Sequence, residues 1–136
     1  MFSKKKVIIK GAGDLATGVA ARLWRSGFPV IMTEIDRPLP VRRTVSLAEA
    51  IYEGKTKVED LVAHRVESLS EIGAVLVKKI IPVIVDPTAE LVHEISPFVL
   101  VDAIMAKENR GTHINDAPFV IGLGPVSYTH LTLPTN

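Results

Sequence analysis

Apolar and polar positions follow two alternating rhythms along this chain. Val7-Ile8-Ile9 is a continuous β-branched run that closes on Lys10 and Gly11. Beyond it Leu15, Val19 and Leu23 recur together with Ala16, Ala20 and Trp24, up to Gly27. The first pattern predicts a buried strand, and the second a helix with one apolar stripe turned to a core, ended by Gly27. Phe28 to Glu34 is a second strand. Ser46 and Glu49 have capping-box spacing, Leu47 and Ile51 share a face, and Gly54 closes that short helix. Leu61 to Val66 reads as a strand, and Ser68 with Glu71 repeats the capping signature before the helical run 72–78. Ile80 to Val85 is near-continuously apolar, as a strand covered on both faces requires, although Pro82 marks an irregular start or a sheet edge. Thr88 opens a helix with Leu91, Val92 and Ile95 inward, Pro97 ends it, and Phe98 to Val101 and Phe119 to Ile121 are the last strands.

Strand and helix alternating in this way predict parallel pairing, hence an α/β fold with a Rossmann-like, doubly wound, mostly parallel sheet. No linker or repeat divides it, so one domain is expected over residues 1–125.

The run Gly11-Ala12-Gly13-Asp14-Leu15-Ala16 lies between the first strand and the first helix, where doubly wound folds bind phosphate. Gly11 permits the tight turn, Gly13 lets a phosphate approach the backbone, and Ala16 is small enough for close packing of helix on strand. Asp14 opposes this: a carboxylate at the helix start caps its own N–H groups and repels a phosphate, an effect Lys10 partly offsets. Glu34 stands 23 positions after Gly11, near the roughly 20-residue offset at which an acid meets a nucleotide ribose. Asp36 and Arg37 follow at once, so the sequence leaves the ribose 2′ state of the cofactor open.

Two strands end alike, in Asp86 and Asp102, at the carboxyl edge where open α/β sheets bind ligands. Asp102 is therefore a candidate ligand contact. Asp86, followed by Pro87 and Thr88, has a second reading as the cap of the next turn. Arg42 and Arg43 are either a phosphate clamp or an exposed face. The polar loop 107–118 is long enough to fold over the edge, but His113 and Asp116 lack a second histidine at ligand spacing, so a solvated loop is expected and no metal site. His64 and His93 read as structural or surface residues.

Composition narrows the chemistry further. A formal charge of +1 and the absence of aromatics among Lys4, Lys5 and Lys6 argue against nucleic acid. Without cysteine, the chain has no disulfide, zinc–thiolate or covalent selenide carrier. No apolar run reaches the roughly 18 residues of a membrane span and no signal region opens the chain, so a cytoplasmic protein without a membrane partner is expected. Hydrolytic nucleophile motifs are missing as well.

From Val126 to Thr135 the chain resembles the in-frame translation of a transposon-type DNA sequencing adapter, so residues 126–136 are expected to be an artefact tail in which Tyr128, His130 and Pro134 carry no function. The natural protein is then expected to continue past Gly124.

Taken in order, Val7 to Gly18, Arg43-Thr44-Val45-Ser46, Ile84-Val85-Asp86-Pro87, Leu100-Val101-Asp102-Ala103 and Val120-Ile121-Gly122-Leu123-Gly124 resemble the selenium-dependent molybdenum hydroxylase system proteins. These are bacterial proteins similar to xanthine dehydrogenase accessory factors. The resemblance covers residues 1–124. It implies a Rossmann-like domain that helps mature molybdenum hydroxylases, handling a molybdopterin-type cofactor and partnering a xanthine dehydrogenase-like enzyme. The residues also admit an NAD(P)-dependent oxidoreductase, or a regulatory domain with a vestigial nucleotide pocket. In each case the small-molecule site is expected at Gly11, Gly13, Asp14, Ala16, Glu34, Asp86 and Asp102.

Overall fold

The computed structural model describes residues 5–35, 46–104 and 115–123. Val7–Lys10 forms β1, buried at all four positions, and Asp14–Arg25 forms α1. A Schellman motif ends α1: Gly27 N–H donates to the Trp24 carbonyl and Phe28 N–H to that of Leu23, with Gly27 at φ +96°. The remaining elements are β2 (Val30–Glu34), α2 (Glu49–Glu53), β3 (Lys55–Val58), β4 (Leu61–Val66), α3 (Leu69–Val77), β5 (Ile81–Val85), α4 (Leu91–Ile95), β6 (Val99–Asp102) and β7 (Phe119–Gly122).

The strands build one sheet in the order β3-β4-β5-β2-β1-β6-β7. Every pairing is parallel except β3 with β4, so the expected Rossmann-like, mostly parallel α/β architecture is what the chain forms. Helices cover both faces. On one, α1 and α2 place Ala16, Ala20, Ala50 and Ile51 against Val7, Ile9, Val30 and Met32. On the other, α3 and α4 place Ile72, Leu76, Leu91 and Val92 against Ile8, Ile31 and Leu100. A sheet sandwiched this way buries both sides of its strands, which is why those strands are continuously apolar.

Several local expectations change. Leu15 is 45% exposed, because the inward face of α1 runs through Ala16, Thr17 and Ala20 and position 15 is rotated about 100° away from 16. Pro82 is buried in β5, an interior strand between β4 and β2. Its missing N–H is tolerated because pairing with β2 begins only at Val83, so it marks a strand start and not an edge. The antiparallel strand β3, Lys-Thr-Lys-Val, escaped the apolar pattern because it is a polar edge strand with Lys55 and Lys57 exposed; lysines on an edge discourage pairing with other chains. Ser68 caps α3 as expected, accepting from Glu71 N–H. The helix after Thr88 begins later, at Leu91.

Candidate functional site

Strand order reverses at β1: the chain moves out through β2 and β5 on one side and through β6 and β7 on the other. The carboxyl ends of β1 and β6 therefore flank the point where ligands bind in open α/β sheets. The glycine turn sits there. Gly11 has φ +102°, its N–H donates to the Thr33 carbonyl, and a Cβ on it would lie 3.2 Å from the Ala103 carbonyl oxygen at the end of β6. Gly13 is the N-cap of α1 in extended conformation, and a Cβ there would meet nothing within 4 Å. The turn thus rests on β6 at its first glycine and faces open space at its second. Asp14 occupies the first turn of α1, directly after the N-cap Gly13. Ala16 is buried under the turn, 1% exposed.

Glu34 ends β2 beside this turn. Its Oε1 accepts from Ala12 N–H at 2.7 Å and its Oε2 from Ile35 N–H at 2.9 Å. Burial pushes its carboxyl above the ordinary value near 4.5, while the Ile35 and Ala12 N–H bonds pull it back down. Folded Glu34 therefore keeps its proton to higher pH than the unfolded chain does. Across the window above 4.5 the unfolded state has released a proton that the native state still holds, so this group lowers stability as pH rises. Urea unfolding at stepped pH should show that decline in the unsubstituted chain and a flatter profile in Glu34→Gln. Equal slopes would remove the assignment.

Asp86 also reaches the edge, but as a cap: Oδ1 accepts from Glu90 N–H at 3.0 Å and Oδ2 from Leu91 N–H at 2.9 Å. The capping alternative is the arrangement seen. Asp102 is 4% exposed and accepts from Ile104 N–H at 3.2 Å.

Register separates these groups more than sequence spacing implied. Lys10 is the partner of both Thr33 and Asp102, and all three lie two residues beyond core residues Ile8, Ile31 and Leu100 on the α3/α4 face. Glu34 lies two residues beyond Met32, on the α1/α2 face. With a side-chain period of two, Glu34 and Asp102 flank the edge from opposite faces. The site expected at Gly11, Gly13, Glu34 and Asp102 thus has its two carboxylates on opposite faces of the sheet.

Lys10 is the residue that the sequence reading undervalued. It is 3% exposed, and burial pushes its ammonium below the ordinary value while the charges of Asp102, then Asp116 and Asp86, oppose that shift. The signal was present: Val-Ile-Ile-Lys and Val-Leu-Val-Asp are strands of equal length ending in opposite charges, but only their pairing aligns the ends. Asp116 is the one member of the 113/116 pair within the described residues. Asp36, Arg37, Arg42, Arg43, His113 and the tail 126–136 lie outside them.

Ser46 departs from its expected role. The N-cap of α2 is Ala48, without a side-chain cap. The Ser46 hydroxyl instead donates to the Ala12 carbonyl at 2.8 Å and accepts from Ala48 N–H.

Among the described residues no group of three or more metal-ligating side chains forms, and no helix is long and apolar enough to cross a membrane. A cavity of about 680 Å³ opens at the opposite, amino end of the sheet, lined by Trp24, Phe28, Leu76 and Ile80 with Arg25 and Lys79, and holds no carboxylate. The chemistry-bearing groups are not there.

Comparison with known proteins gives one informative relative. The protein named Uncharacterized protein YqeB of Escherichia coli (strain K12) is 45% identical over 119 residues, which are 88% of this chain and 22% of that protein. The chain spans about a fifth of the length of the curated relative it matches. No family model matches the chain, and no solved structure matches it.

Proposed function

We propose that this chain is a domain that binds a phosphate-bearing, nucleotide-type cofactor at the Gly11–Gly13 turn. The observation that carries this reading is the turn's position: it leaves β1 beside β6, where the strand order reverses, and leads into the N-terminus of a 12-residue helix. Backbone N–H groups and the helix dipole favour an anion at such a place. Gly13 leaves room for it, since nothing lies within 4 Å of where a Cβ would be. Glu34 supports a ribose neighbour, because a carboxylate accepts hydrogen bonds from hydroxyls and repels an additional phosphate.

The family resemblance supplies the finer part of the proposal. The cofactor is molybdopterin-type, and the protein handles it in the cytoplasm during maturation of a xanthine dehydrogenase-like, selenium-dependent molybdenum hydroxylase. A chain without cysteine contributes binding and hand-over, with any selenide carried by a partner enzyme or by residues beyond this chain. The second reading, an NAD(P)-dependent oxidoreductase, draws on the placement of Glu34 at the end of β2, next to the turn.

Thermal unfolding of the 136-residue chain with NAD, NADP, CDP and isolated molybdopterin separates them. A ligand at 100 times its Kd stabilises by about 2.7 kcal/mol. Gly13→Asp is the control, since position 13 has space for the side chain but the added carboxylate opposes a phosphate. Stabilisation by molybdopterin or CDP, lost in Gly13→Asp, is the expected result. A response to NAD or NADP alone moves the assignment to an oxidoreductase, and no response to any of the four overturns cofactor binding.

A further inference from the structure

Both backbone groups of Ala12, at the centre of the glycine turn, are consumed by distant parts of the chain. Its N–H donates to Glu34. Its carbonyl accepts from the Ser46 hydroxyl at 2.8 Å, from Ala48 N–H at 2.8 Å and from the Thr17 hydroxyl at 3.3 Å. Thr17 Oγ1 in turn accepts from Leu47 N–H at 2.9 Å. Ala12, Ser46, Leu47 and Ala48 are wholly buried, and Thr17 is 5% exposed.

A carbonyl of the turn needs no such attention merely to be satisfied: one donor suffices, and here three converge. Their convergence fixes the orientation of the Ala12–Gly13 peptide plane, whose N–H belongs to Gly13, the N-cap that faces open space. We propose that Ser46 and Thr17 are positioning residues that hold the Gly13 N–H toward the anion, so that the segment beginning at Ser46 is a structural part of the phosphate site and not simply the lead-in to α2. The inference rests on the anion-binding reading of the turn.

Ser46→Ala and Thr17→Val remove the hydroxyls with little change of volume, and Thr17→Ser keeps the hydroxyl. Ser46→Ala and Thr17→Val each leave the Ala12 carbonyl with Ala48 N–H and one hydroxyl. Thr17→Val also takes the acceptor from Leu47 N–H, Thr17→Ser keeps every partner, and the unfolding midpoint of each variant checks that it folds. Two readouts are taken. Amide hydrogen exchange at Ala12, whose N–H is bonded to Glu34 in the same turn, should accelerate in ligand-free Ser46→Ala and Thr17→Val and match the unsubstituted chain in Thr17→Ser. Calorimetric affinity for inorganic pyrophosphate should fall about fivefold in the first two, the scale of one lost hydrogen bond, and be kept in Thr17→Ser. Unchanged exchange, or pyrophosphate affinity equal across all variants, overturns the positioning role. Accelerated exchange in a chain that never binds pyrophosphate leaves the positioning of the peptide standing and overturns the anion site itself.

Discussion

Gly11→Ala should destabilise the fold by about 3 kcal/mol, a large share of the roughly 5–15 kcal/mol by which an ordinary domain is stable. Two costs combine at this position. At φ +102° an L side chain is strained, at about 1–3 kcal/mol. The added Cβ would also sit 3.2 Å from the carbonyl oxygen of Ala103 and 3.4 Å from its carbonyl carbon. Those are backbone atoms at the end of β6, whose Ala103 N–H is itself tied to the Lys10 carbonyl, so they cannot swing aside as a flexible side chain would. Gly27→Ala isolates the first cost, since Gly27 has φ +96° but nothing within 4 Å of a Cβ, and should lose about 1 kcal/mol. Urea unfolding of both variants gives the comparison. Equal losses would show that the contact with β6 contributes nothing, and with it the claim that the turn is seated on the switch point.

The second large effect is expected at the buried charges. Lys10→Met should cost about 3 kcal/mol, because it removes a buried cation that the charge of Asp102, its register partner on β6, favours and so takes from that buried carboxylate an opposing charge in a medium of low dielectric. Asp102 is 4% exposed and lies on the α3/α4 face. Lys10→Met combined with Asp102→Asn should be less damaging than Lys10→Met alone, since no net charge then remains between the two strands. Denaturation of the two single variants and the double variant closes the cycle. Additive losses would mean that Lys10 and Asp102 do not interact, and the charge coupling across β1 and β6 would have to be withdrawn.

The parts of the fold that could be read from the sequence are those whose signals are local. Val7 to Gly18 encodes strand, turn and helix within a dozen residues, because the apolar run, the glycine and the helical spacing need no distant partner. The cap of α3 by Ser68 is similar: residues three apart determine it. Ser46 shows the limit of the same signature. Its spacing to Glu49 matches that of Ser68 to Glu71, yet its hydroxyl bonds a carbonyl 34 residues earlier. A hydroxyl takes the strongest partner the fold brings within reach, and that partner is not visible in a window of four residues. The strand β3 was hidden for the converse reason. Its alternating exposed lysines satisfy a half-exposed edge, where little apolar surface is needed.

By itself the sequence determined the fold class, the order of most elements and the edge of the sheet at which the glycine turn, Glu34, Asp86 and Asp102 end. It could do so because burial on two faces and tight turns each impose a residue type at the position itself. Tertiary structure alone decided which of these residues face one another. Strand register placed Lys10 against Asp102 and put Glu34 on the other face of the sheet, and a one-residue slip would have exchanged those faces. Packing of the 46–48 segment onto Ala12 decided that a serine spaced like a helix cap is part of the turn. Such pairings arise from contacts between residues far apart in the chain, and the period of hydrophobic positions carries no record of them.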